Sequence, residues 1–165
     1  MKKFELTTDT KMFLGKKLFR IKALISFGNV RAGDVGGYIE KEENLSQSGN
    51  AWVFGDAEVS GNAEVSGNAK VSGNAWVFGN AEVSGDAEVS GNADYATASG
   101  FGSEYRTTTF FKLKNSDEIG VRCGCFYGTL KEFKEKVKET HGETKKAKEY
   151  LMLADLMEYR FSEEK

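Results

Sequence analysis

The chain has 165 residues, with 23 basic and 25 acidic side chains for a net charge of −2, 19 glycines, no proline and two cysteines. That length suits one compact domain or a short stack with appendages. Two cysteines give no disulfide framework, and no apolar run approaches the ~18 residues of a membrane-spanning helix.

The opening stretch MKKFELTTDTKMFLGKK has no long apolar core and no small-residue cleavage site, so no signal peptide is expected. A reducing cytoplasm is the expected compartment. Charge is uneven along the chain. Residues 1–44 carry nine basic and six acidic groups, residues 45–100 one and seven, and residues 101–165 thirteen and twelve. The acidic middle argues against a nucleic-acid partner.

From Leu18 to Ile25 apolar and polar residues alternate, which predicts a strand whose opposite face carries Arg20 and Lys22. Phe27–Tyr38 is turn-rich. Its Gly33, Gly36 and Gly37 either turn the chain into the repeats or cradle a phosphate, although they match neither common phosphate-loop pattern. Arg20, Lys22 and Arg31 are candidate anion ligands, against the plainer reading of a solvated basic face. Residues 1–38 are expected to cap the stack that follows.

Residues 51–92 are seven six-residue units without insertion or deletion: AWVFGD, AEVSGN, AEVSGN, AKVSGN, AWVFGN, AEVSGD, AEVSGN. Ala and Val, two apart, point to one face of an extended strand, and Gly with Asn or Asp favours a corner. One such unit cannot bury enough surface alone, so units must stack. Ile39–Asn44 and Leu45–Asn50 read as two degenerate units that begin the stack.

The spacing of Val53 to Ala57, Val59 to Ala63 and Val65 to Ala69 resembles the hexapeptide repeat of left-handed parallel β-helices. The run from Leu18 to Val53 is similar to the leading segment of hexapeptide-repeat proteins of bacteria, phages and prophages. The resemblance implies a mainly β fold: a left-handed parallel β-helix over 39–98, with three units closing each coil. It also implies a mobile-element origin, hence the cytoplasm of a bacterial host cell, and a homotrimer, but no settled activity. A three-unit coil would stack Glu40, Glu58 and Trp76; Ser46, Glu64 and Glu82; and Trp52, Lys70 and Glu88, with a corner ladder of Asn44, Asn62 and Asn80.

By parity Trp52, Phe54, Trp76 and Phe78 face outward, where other units carry Glu, Lys or Ser. Either they bind a ligand or partner, or they pack on another copy of the chain or on the C-terminal module. ADYATASG (93–100) breaks the repeat, and GFGSEY follows as a linker to a module over 105–165. A strand over 107–115, a second over 118–127 and two helices predict a ββαα unit. Thr129 and Glu132 form a capping box at the start of the first helix, and the second runs from about Glu143 to Phe161. Cys123 and Cys125 fall on one side of the predicted strand, as buried small hydrophobes or, with two further ligands, a metal pair. No metal or cofactor is expected.

Hexapeptide-repeat relatives include acyltransferases and carbonic anhydrases, but His141 is the sole histidine and lies at a helix end. No enzyme is therefore expected. The expected function is non-catalytic: capture of a small ligand, a nucleotide among the candidates, or blockade of a host protein, as in counter-defence. The alternatives are a structural spacer or an acyltransferase. Arg20, Lys22, Arg31, Trp52, Phe54, Trp76, Phe78, Arg106 and Arg122 are the candidate binding residues.

Overall fold

A computed structural model describes residues 1–102 and 106–162. The fold is mainly β. Strands β1 (Phe4–Phe13), β2 (Lys16–Ala23) and β3 (Val35–Ile39) precede seven two-residue strands. These are β4 (Trp52–Val53), β5 (Glu58–Val59), β6 (Glu64–Val65), β7 (Lys70–Val71), β8 (Trp76–Val77), β9 (Glu82–Val83) and β10 (Glu88–Val89). They form three parallel columns, β3-β5-β8, β6-β9 and β4-β7-β10.

Within the repeats the step is the expected three units: Val59 pairs with Val77, Val65 with Val83, and Val53 with Val71 and then Val89. The alanines at 51, 57, 63, 69, 75, 81 and 87 and the valines between them are at most 1% exposed. They fill the space between the columns with small and medium side chains. Burying each valine contributes roughly 1.5–3 kcal/mol, and no unit gains this without neighbours.

The first step is longer, which corrects two of the expected stacks. Tyr38, not Glu40, pairs with Glu58, and Leu45 bridges Val65. The Ser46 amide donates to the Val65 carbonyl and the Asn50 amide to that of Gly67. Gln47 and Ser48 are therefore the extra pair. Gln47 leaves the stack, and its side-chain oxygen accepts from the Lys3 and Phe4 amides at 2.7 and 3.3 Å. Asn44 drops out of the corner ladder as well. It is buried, accepting from the Glu40 and Lys41 amides and donating to the Gly61 and Ala63 carbonyls. Asn62 does donate to Asn80, at 3.4 Å.

Parallel stacking leaves the two ends with opposite needs. Each strand's amides donate to the carbonyls one step later, as Glu58 does to Ala75. The first coil thus presents spare carbonyls, and the last presents spare amides. Cations meet the carbonyls: the Lys3 ammonium donates to Ala51 O at 2.8 Å, and Arg20 to Gly36 O and Gly55 O at 2.8 and 3.2 Å. Oxygens meet the amides: Asn92 accepts from Trp76, Asp94 from Ser90 and Thr109 from Glu82.

The N-terminal cap is a hairpin. β2 pairs antiparallel with β3, and β1 with β2, continuing the first column beyond its first strand. The hairpin then curls over the outer face, so that Phe13 meets Trp76 and Lys11 pairs with Glu58. Gly36 and Gly37 are buried in β3, where a Cβ would lie 2.5 Å from the Val53 and Ala57 carbonyl oxygens. They serve close approach to the stack and do not cradle a phosphate.

Among the described residues the C-terminal module has four strands, not two. β11 (Tyr95–Phe101), read from sequence as a break in the repeat leading into a linker whose residues 103–105 lie outside the described residues, pairs with β12 (Arg106–Lys112); β13 (Ile119–Cys123) and β14 (Phe126–Thr129) complete an antiparallel sheet. Helices α1 (Leu130–His141) and α2 (Lys145–Arg160) follow, and the Thr129–Glu132 capping box is present. Adjacent Phe110 and Phe111 point to opposite faces, one packing with the helices and the other with the repeats. The sheet therefore seals the end of the stack, with the helices outside it. Cys123 and Cys125 flank a turn at Gly124, which corrects their placement on one strand.

Candidate functional site

The four repeat aromatics have unlike environments. Trp52 is 1% exposed, contrary to the expected outward patch, and packs edge-on against Phe4 at 6.3 Å and Phe27 at 5.3 Å. Phe54 is half-buried against the same cluster. Trp76 is half-buried; its indole N–H donates to Ser60 Oγ at 3.0 Å and Phe13 abuts its ring edge-on at 4.9 Å. Phe78 stacks on Trp76 at 4.2 Å and 26° and stays 46% exposed. The tryptophans are thus covered by the chain's own N-terminal segment, rather than by the C-terminal module as one reading of the sequence allowed.

Between the hairpin tip and this face lies a cleft of about 360 Å³. Trp76 and Phe78 form its floor, Phe13 and Leu14 one wall, and Asn62, Asn80 and Lys16 its polar rim. The hairpin turn is two residues long, since Phe13 pairs with Lys16. Leu14 takes φ +50 there and is 71% exposed. A bulky residue at positive φ is unusual, because such turns favour Asn, Asp or Gly.

The cationic candidates are scattered. Arg20 is a fastener: it donates to Asp9 and Asp56, both at 3.0 Å, to the Tyr38 hydroxyl at 2.8 Å, and to the two carbonyls already described. Burial lowers its pKa, but the bonds to Asp56, Tyr38 and Asp9 outweigh that and raise it. Lys22 is exposed on β2, and Arg31 is exposed beside the 26–32 loop. Arg122 binds Glu82 at 3.1 Å and ties the C-terminal sheet to the stack. Arg106 is exposed and lies against Gly124. These five do not converge on one site.

A smaller cavity of about 120 Å³ lies beside α1, where Cys123, His141 and Tyr150 meet Phe126, Phe133 and Val137, with Lys136 and Thr140 also lining it. Thr108 donates to the Cys123 sulfur at 3.2 Å. Burial, with Cys123 beside it, pushes the Tyr150 phenol up to about 12.

Sequence reasoning missed Phe13, Leu14, Lys16 and Asn80. The signal was present for the first three: Leu-Gly between two alternating runs is a two-residue hairpin with leucine where asparagine is usual. No protein-family model matches the chain, and no curated protein matches it.

Proposed function

We propose that the chain is a non-catalytic binding protein that captures its ligand in the cleft between the hairpin tip and the Trp76–Phe78 face. In this reading the repeats wind as a left-handed parallel β-helix and act as a rigid mount. The observation that carries it is Phe78: 46% exposed, flooring a concave site, while its fellow repeat aromatics are half or fully covered. An aromatic ring left open in a cleft with a few polar groups at its rim is the usual form of a small-ligand site.

The disposition of charge supports holding over turnover. Arg20, Glu58, Glu82 and Arg122 are committed to contacts that fasten the two caps. In keeping with the resemblance to phage and prophage proteins, the proposed setting is an infected bacterial cell, where sequestering a host-derived ligand or factor would serve counter-defence. A homotrimer, which the same resemblance implies, would leave the cleft on the outside of each protomer or cover Phe78 with a neighbour.

Nuclear magnetic resonance separates these outcomes, because the chain has two indole N–H groups. A panel of nucleotides, hexoses and amino acids is titrated in. Capture predicts that at least one class moves the Trp76 signal saturably and leaves that of buried Trp52 in place. If none does, the reading fails, and a light-scattering trimer that Phe78→Asp dissociates would then make the cleft a contact between copies.

A further inference from the structure

Resting on the reading of the cleft as a binding site, we infer that its ligand is a planar nitrogen heterocycle bearing an anionic group, the chemistry of a nucleotide. Three observations point the same way.

The first is the floor. Phe13, Trp76 and Phe78 already form a run of ring contacts, edge-on at 4.9 Å and then stacked at 4.2 Å. A flat ring laid on the open part of Phe78 continues it, and stacking on aromatic side chains favours planar π-systems.

The second is the wall. Leu14 sits at φ +50 in a turn where asparagine or glycine would be unstrained. What that conformation achieves is to hold an exposed aliphatic side chain at the lip of the cleft, facing solvent at 71% exposure. With Phe78 below, Leu14 gives the cleft an apolar wall beside an apolar floor.

The third is the charge. Residues 45–100 carry one basic and seven acidic groups, yet none of the described residues lining the cleft is acidic, and Lys16 is at its mouth. Lys16 is 46% exposed and only loosely paired, 3.5 Å from Glu40. A phosphate finds its cation in Lys16, whereas the nearby Glu40 carboxylate, outside the lining, is engaged by the Gly61 amide at 2.7 Å and by Lys16 itself. Asn80 supplies the edge recognition. Asn62 accepts from Lys41 at 3.0 Å and donates to the Asn80 oxygen at 3.4 Å, which orients the Asn80 amide. An amide offers a donor and an acceptor side by side, the complement of a purine edge.

The test is a titration of the full chain with AMP, adenosine, inorganic phosphate and methyl glucoside, read at the Trp76 indole signal. AMP should shift it saturably in the millimolar range or tighter, with adenosine weaker and phosphate alone weaker still. Phe78→Ala, at a half-exposed position, should weaken AMP by about tenfold or more. Lys16→Gln should weaken AMP severalfold and leave adenosine unchanged. A shift with methyl glucoside and none with AMP or adenosine overturns this inference but keeps the cleft as a binding site. So does AMP binding that Phe78→Ala leaves intact. If no compound of the wider panel shifts the signal, both readings fall.

Discussion

Lys3 offers the sharpest check on how the N-terminal end is closed. It is 1% exposed, donates to Ala51 O at 2.8 Å and lies 4.8 Å over the Phe27 ring. Burial lowers its pKa from 10.5 to about 8. Between these values the unfolded chain binds more protons than the folded one, so stability rises with pH. The contribution is fully present above 10.5 and is lost as pH falls through 8. From pH 7 to pH 10 the gain is about 2–3 kcal/mol, at about 1.4 kcal/mol per pKa unit.

Lys3→Met keeps the unbranched stem and removes the titrating group. At pH 7 the variant loses bonds to the carbonyls, worth roughly 1–3 kcal/mol, and no longer buries a cation, so the two effects nearly offset. At pH 10 the parent's neutral amine still donates to Ala51 O with no charge to bury. The assay is urea unfolding of both proteins at both pH values. The double difference cancels every other titrating group, and the parent should gain about 2–3 kcal/mol over the variant. A double difference within about 0.5 kcal/mol of zero would refute the buried cation and with it this account of the spare carbonyls.

Trp52→Ala should cost about 3–5 kcal/mol in chemical denaturation, and Trp76→Ala clearly less, because Trp52 is fully enclosed and Trp76 is not. Equal costs would contradict the covered position of Trp52. Leu14→Asn should stabilise the protein by roughly 0.5–1 kcal/mol by relieving the positive φ, while weakening whatever the cleft holds; a loss of stability would mean that Leu14 packs in the free protein. Asp94 is raised by burial, but the Ser90 amide and hydroxyl and the Lys112 ammonium hold it below 3.8 overall. Asp94→Ala should therefore cost about 1–2 kcal/mol at neutral pH. That deficit should close in acid, since the parent's advantage is present above 3.8 and disappears as pH falls through the depressed value. A pH-independent deficit would assign Asp94 a packing role only.

The column of Trp52, Lys70 and Glu88 was legible because nothing interrupts the six-residue period from Ala51 onward. Period and parity are local properties, and they also placed Ala and Val inside. The first coil was not legible in the same way. LSQSGN imitates a unit in its length and its Gly-Asn end, but Gln47 is drawn out of the ladder by the amides of Lys3 and Phe4, at the far N-terminal end of the chain. The α-helices were legible from the capping box and helical spacing, whereas β11 was not, since Ala, Ser, Thr and Gly form a strand there only beside β12.

Parity sets which face of a strand a side chain occupies, and on that point Trp52, Phe54, Trp76 and Phe78 behave as their positions require. Whether an outward face meets water is decided by what the rest of the chain lays over it. Here the hairpin covers Trp76 and the N-terminal segment covers Trp52, while Phe78 lies just beyond their reach. The direction of the backbone hydrogen bonds follows from parallel stacking of any such repeat. The cations and oxygens that meet the spare groups at each end come from distant segments, so only the folded chain brings them there.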